Sequence, residues 1–267
     1  MSVLKAKRNL AKSEFERTFL LFYADSERLL NKVPKRRKKY ICTNIALLNN
    51  AILNDLMIVQ EYLFAKKEHK KAIKQLRIQS AIQRIECLEK EIMVYSNIMF
   101  LPFDKQCNWC ENLNKEIALL NGMIDDETEK SKFRVTVLDW SKINKFETLR
   151  NMADLHRYTH GKAVRAVGQF ENGTTPLLIG LIDKAFYRLM KANSYIPRTK
   201  AEYEERAKNI EIVLQNLNKI QRPMLLYFNV MKYSDRVQRE WSKMLNKEIK
   251  LVKGLQKSDK KRFSKLI

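Results

Sequence analysis

His156 and His160 are the residues whose type and spacing come closest to chemistry. On a helix the i, i+4 step puts both imidazoles on one face, a geometry that can hold a metal ion. No His-Glu-x-x-His motif accompanies them, no third ligand is adjacent in sequence, and both fall on an apolar stripe. They read as a core or interface pair, with a metal site as the alternative, and no metal is assigned. Cys107 and Cys110 form a C-x-x-C at an expected helix start, where the helix dipole can lower a thiol pKa. No βαβ pattern surrounds them and no second cysteine pair exists to complete a zinc site, so they read as small buried residues. Asp125 and Asp126 lie in a loop without a partner for acid–base work, and no glycine-rich phosphate loop occurs. These residues predict no catalytic constellation and no cofactor: a protein that is not an enzyme.

The cations are more informative. Lys and Arg number 52 against 30 Asp and Glu, a formal net charge of +22, which makes a polyanion the first partner to consider. The excess is uneven, +6 over residues 1–130 and +16 over residues 131–267. In the second half Lys232, Arg236, Arg239, Lys243, Lys247, Lys250 and Lys257 recur at helical spacing, roughly opposite the apolar line Val237, Trp241, Leu245, Ile249 and Val252. Two further clusters are Lys35, Arg36, Arg37, Lys38 and Lys39 after Pro34, and Lys66, Lys67, Lys70 and Lys71 at a later junction. Together these are the expected nucleic-acid contacts. Lysine and arginine on phosphates give salt-dependent affinity with little sequence selectivity.

The elements that must position these charges come in two copies. Trp109, Leu113, Asn114, Lys115, Glu116, Ile117, Leu119 and Gly122 recur 132 positions later as Trp241, Leu245, Asn246, Lys247, Glu248, Ile249, Leu251 and Gly254. The same offset carries Tyr95, Asn97 and Met99 onto Tyr227, Asn229 and Met231. Farther upstream it drifts, with Phe15-Glu16 near Phe146-Glu147. Ser13-x-x-Glu16 has the form of a capping box, and Ile41, Ile45, Leu48, Ile52, Leu56, Val59 and Leu63 recur at three- and four-residue steps. Only six Gly and five Pro occur in 267 residues. The fold expected is all-α: two tandem antiparallel four-helix bundles. The first copy covers residues 13–126 and the second 145–257, with a basic N-terminal extension at 1–12, a linker at 127–144 and a basic C-terminal tail at 258–267. Pro223 predicts a kink or break near Arg222 in the second copy. Phe133 to Trp140, β-branched and alternating, predicts an extended linker packed on a bundle.

Phe15-Glu16-Arg17, the Val33-Pro34-Lys35-Arg36 break and the basic junction before a long third helix give the first copy its family likeness. It resembles the accessory variability determinant family, four-helix-bundle proteins that accompany diversity-generating retroelements. The Ala192–Pro197 stretch and the Leu255–Lys260 end resemble related small bundle proteins of phages and mobile elements. That resemblance implies a non-enzymatic partner of a reverse transcriptase, a positively charged ring of five bundles that contacts the enzyme and its template RNA. It carries over to Lys35, Arg36 and their neighbours; the duplication and the Lys243 stripe are departures. The expected function is therefore an accessory protein that binds RNA or cDNA, docks on a reverse transcriptase and forms a homo-oligomer. The alternative is a structural or assembly bundle protein of a phage or mobile element that binds no nucleic acid. Sparse cysteines and no secretory leader predict a cytoplasmic protein, and no segment reads as a bilayer span.

Overall fold

Long amphipathic stretches with little Gly or Pro can satisfy their backbone only as helices, and they do. The computed structural model describes residues 14–165 and 173–266. The 1–12 extension, Ser13 of the expected capping box, Val167 at the end of the apolar stripe that carries His156, and the side chain of Arg36 lie outside the described residues. Within them the protein is all-α, with nine α-helices and no strand. These are α1 (Glu14–Leu30), α2 (Lys35–Glu61), α3 (Glu68–Met99), α4 (Phe103–Asn121), α5 (Trp140–Lys145), α6 (Glu147–Arg165), α7 (Thr174–Asn193), α8 (Lys200–Val230) and α9 (Asp235–Arg262). The chain divides into two units. One holds the residues up to Tyr95 and Leu101–Val137; the other holds Ser96–Phe100 and Leu138 onward.

In the first unit α1 packs on α2 and α4. Arg77 and Arg84 of α3 both bond to the buried Asp55 of α2, and Tyr95 of α3 stacks on Trp109 of α4. The core holds Phe19, Phe22, Ile45, Ile52, Leu56, Ile85 and Trp109, all 0 % exposed, and the indole N–H donates to Asp25 at 2.8 Å. The expected extended linker is present as irregular backbone held by side chains. Asn114 and Asn121, two helical turns apart on α4, each accept from and donate to one residue of it, Val135 and Ser131. A primary amide presents the donor–acceptor pair of a peptide group, so two asparagines do the work of a neighbouring strand.

In the second unit α7 lies between α6 and α8, α9 closes on α6 and α8, and α5 packs on α6. Trp241 is again 0 % exposed, with its N–H donated to Thr159 at 3.0 Å and the rings of Tyr227, Phe228 and Tyr233 around it. A capping box, Thr199 with Glu202, starts α8. The helix then runs through Pro223 to Val230, so of the kink or break expected there the break does not occur, and Pro223 leaves one carbonyl without its i+4 donor. The expected tail boundary at Lys257 is likewise not a structural one. Helix α9 continues to Arg262, and its buried Asp259 pairs with Arg206 Nε at 2.6 Å.

The 132-residue offset recurs in the backbone. Among the described residues the two non-glycine residues with positive φ are Phe100 (51°) and Lys232 (47°), 132 positions apart, each two residues before the N-cap of the next helix. Lys115 pairs with Glu14 at 2.8 Å and Lys247 with Glu147 at 2.7 Å. The lysines are 132 apart and the glutamates 133, so the first helices match with one extra residue, which the Phe15–Phe146 alignment misplaces. By that register Phe19, Phe22 and Ser26 correspond to Met152, Leu155 and Thr159, all buried.

Helix α2 bears on the expectation that no segment spans a bilayer. Tyr40–Asn54 is a 15-residue uncharged run, and α2 is long and apolar enough, by length and composition alone, to cross a bilayer. One face of it is tied into the first unit, through Asp55 and through Asn49, which donates to Ser26 at 2.9 Å.

A left-handed residue with a side chain carries a conformational penalty that glycine lacks. Lys232→Gly is therefore expected to raise stability by about 0.5–1 kcal/mol in urea denaturation; an unchanged midpoint would show the turn to be unstrained.

Candidate nucleic-acid interface

Helix α9 forms because its apolar positions recur at three and four residues, and that pattern fixes which side faces water. Trp241, Leu245, Glu248, Ile249, Val252 and Asp259 are buried. At 100° per residue, Arg236, Arg239, Lys243, Lys247, Lys250, Lys257 and Lys261 fall within an arc of about 80° on the opposite side, over about 37 Å of helix. All seven are exposed, as is Lys232 before the helix. Lys247 is ion-paired to Glu147; both are half exposed, so the pair is screened and weak. The positions 132 residues earlier are Asp104, Cys107, Glu111, Lys115 and Ala118 on α4, and Asp125 and Glu129 beyond its end. A helix doing the same packing job thus manages without the stripe.

The first-unit clusters stay apart. Lys35–Lys39 opens α2 and Lys66–Lys71 follows its end, about 40 Å away along a 27-residue helix. Lys35 and Lys39 are exposed, and Arg37 and Lys38 half-buried. The first turn of α2 carries no acidic residue, and Pro34 supplies no side-chain cap, so four cations crowd the positive end of the helix dipole. Lys66 and Lys67 are exposed, Lys70 lies over the Tyr62 ring at 5.3 Å, and Lys71 pairs with Glu68 at 2.7 Å.

Behind this surface the second unit holds a buried polar cluster whose centre the spacing of the histidines did not reveal. Asp183 Oδ1 accepts from His156 Nε2 at 2.9 Å and from His160 Nε2 at 2.5 Å. The ligand atoms of the three residues lie within 4.8 Å of one another, a grouping that can hold a metal ion. Asn97, in the last turn of α3, decides how His156 is used. Its Oδ1 accepts from Arg157 at 2.8 Å, and its Nδ2 donates to the Ala153 carbonyl at 3.1 Å and to His156 Nδ1 at 2.8 Å. With Nδ1 accepting, Nε2 must carry the proton that Asp183 receives. His156 offers a metal no lone pair there until Asn97 turns over and gives up two bonds. Burial brings His156 down to about 4, against the pull of the Asp183 hydrogen bond. Burial acts to raise Asp183, but the neighbouring His160 and the two imidazole donors outweigh it and hold the carboxyl below its usual range. A neutral imidazole bonded to a carboxylate is a satisfied core, in line with the core reading of the pair. Asp183, 23 residues beyond His160, carried no local signal.

The repeat contains a second buried feature, Glu116 and Glu248 at matched positions. Burial pushes the first up to about 9 and the second to about 8, the latter moderated by the Asn151 hydrogen bond at 2.8 Å. Cys110 is buried, with its thiol raised to about 12 by burial and its S–H donated to the Thr136 carbonyl at 3.6 Å; Cys107 is half-buried. A thiol raised this far is a poor nucleophile.

No family model, curated protein or solved structure matches the chain.

Truncating Asp183 to Ala leaves two buried imidazole donors unpaired and is expected to cost about 3 kcal/mol in urea unfolding. The glutamates give a pH dependence. Their folded pKa values lie above the unfolded value, so their contribution is complete below about pH 4.5 and is lost as pH rises toward 8 and 9. Glu116→Gln and Glu248→Gln are expected to leave the melting temperature nearly unchanged at pH 5 and to raise it at pH 9; equal effects at both would place the carboxyls in contact with water.

Proposed function

We propose that this protein is a non-enzymatic, positively charged accessory protein of a reverse-transcribing mobile element or phage, one that holds RNA or cDNA and docks on the reverse transcriptase. Its architecture in this reading is a duplicated antiparallel four-helix bundle, with the second copy specialised for the polyanion. The observation that carries it is the α9 stripe: seven exposed cations on one arc of a helix, where the matched positions of the first copy, five on α4 and two beyond its end, hold a single cation. Packing alone does not account for that charge, because the other copy packs without it. A row of cations on one helix face tracks a phosphate backbone and reads no bases, so the binding is weakly sequence-selective. The crowded cations at the start of α2 support the reading, since a bound phosphate would relieve their repulsion from the helix dipole. The family resemblance supplies the reverse transcriptase, and the sparse cysteines suggest the cytoplasmic setting.

If about six phosphates are neutralised, log affinity for RNA is expected to fall with log salt at a slope of about −5, measured by fluorescence anisotropy. Reversing Lys243, Lys250 and Lys257 to Glu is expected to abolish most of that binding with helicity unchanged. A flat salt titration, or affinity unaffected by the reversal, would instead favour an assembly protein whose charge keeps it dispersed.

A further inference from the structure

The repeat lets one copy report what the other lacks. In the second unit the last turn of α3, Ser96–Phe100, lies on α6: Asn97 reaches the Ala153 carbonyl and His156, and Arg157 returns a bond to Asn97 and covers the Phe100 ring at 4.6 Å. Asn97 is 0 % exposed, and Ile98 of the same turn is buried.

Both partners of this contact have equivalents. By the 132-residue offset, Asn97 and Ile98 correspond to Asn229 and Val230 at the end of α8, where Leu225 and Leu226 precede them by one turn. All four of these are exposed, with Leu226 at 42 % and Val230 at 45 %. By the 133-residue register of the first helices, Ala153, His156 and Arg157 correspond to Leu20, Tyr23 and Ala24 of α1, and Asp183 to Asn50 of α2. Side-chain pairing follows this register. The Tyr23 hydroxyl donates to Asn50 Oδ1 at 3.0 Å, as His156 Nε2 donates to Asp183 Oδ1 at 2.9 Å. The second pair is buried and the first is open to water, with Leu20 beside it 42 % exposed.

We infer that the bare end of α8 and the bare α1–α2 face are two halves of one interface, completed by a second copy of this chain. The end of α8 from one molecule lies on α1 and α2 of the next as the last turn of α3 lies on α6, with Asn229 brought to Tyr23 and Asn50 as Asn97 is brought to His156 and Asp183. Exposed leucine and valine side chains at matched sites supply the apolar area, and the asparagine supplies register. Because the two faces differ, the contact is head-to-tail and closes into a ring or grows as a filament. This inference does not rest on nucleic-acid binding, and its test excludes nucleic acid.

Nuclease-treated protein in high salt is sedimented at increasing concentration, to about 100 µM, well within the range where weak specific interfaces populate. Wild type is expected to form species heavier than one chain. Leu226→Glu with Val230→Glu, and separately Leu20→Glu, are expected to sediment as monomers with unchanged circular dichroism, whereas Ile196→Glu, an exposed apolar site elsewhere, still assembles. Mixed, the two monomeric variants are expected to form a dimer that goes no further, since each retains the face the other has lost. A monomeric wild type, assembly by either variant alone, loss of assembly in Ile196→Glu, or a mixture that remains monomeric would each overturn the inference.

Discussion

Each unit is organised around one tryptophan that must lose all contact with water and still place its N–H. Trp109 does so between Tyr95, Phe22 and Asp25, and Trp241 between Tyr227, Phe228 and Thr159. Burying a ring of this size anchors a helix rotationally, because a small turn about its axis would expose the indole or strand its donor. Once Trp241 is fixed, the opposite side of α9 is fixed too, and the cations take that side. The acceptors differ, a carboxylate in one unit and a hydroxyl in the other, which shows that the requirement is for any oxygen at that place.

Much of this architecture is legible in the sequence because it is written in period. Helix existence, the all-α class, the repeat and the exposed stripe on α9 all follow from apolar spacing over 20 or more residues. The points that escaped depend on contacts between distant residues or on end geometry. Asp183 becomes the partner of His156 and His160 only when α7 lies against α6. The burial of Asn97 depends on the end of α3, and its twin Asn229, identical in sequence, is exposed. The continuity of α8 through Pro223 and of α9 through Asp259 reflects tertiary packing and the Arg206 ion pair, which override local breaking signals. The register of the first helices is clearer from the Lys–Glu pairs than from Phe-Glu strings, since pairing is set in space.

The buried ionisable groups pull stability in opposite directions. His156 is neutral and Asp183 charged in the folded chain, so acid opposes that state, whereas Glu116 and Glu248 favour the proton and alkali opposes theirs. The glutamates occur in both units, while the imidazole cluster belongs to the second. Acid sensitivity through this cluster is therefore a property of that unit alone.

The asparagine rungs that hold the linker have a consequence for the other copy. Asn114 is matched by Asn246, but Asn121 is matched by Lys253, and both of the later residues are exposed. An ammonium group donates and cannot accept, so the pair of positions that grips a peptide chain along α4 has lost its grip along α9. Exchanging one amide for one amine thus frees a helix flank from its own polypeptide and extends the positive border beside the stripe.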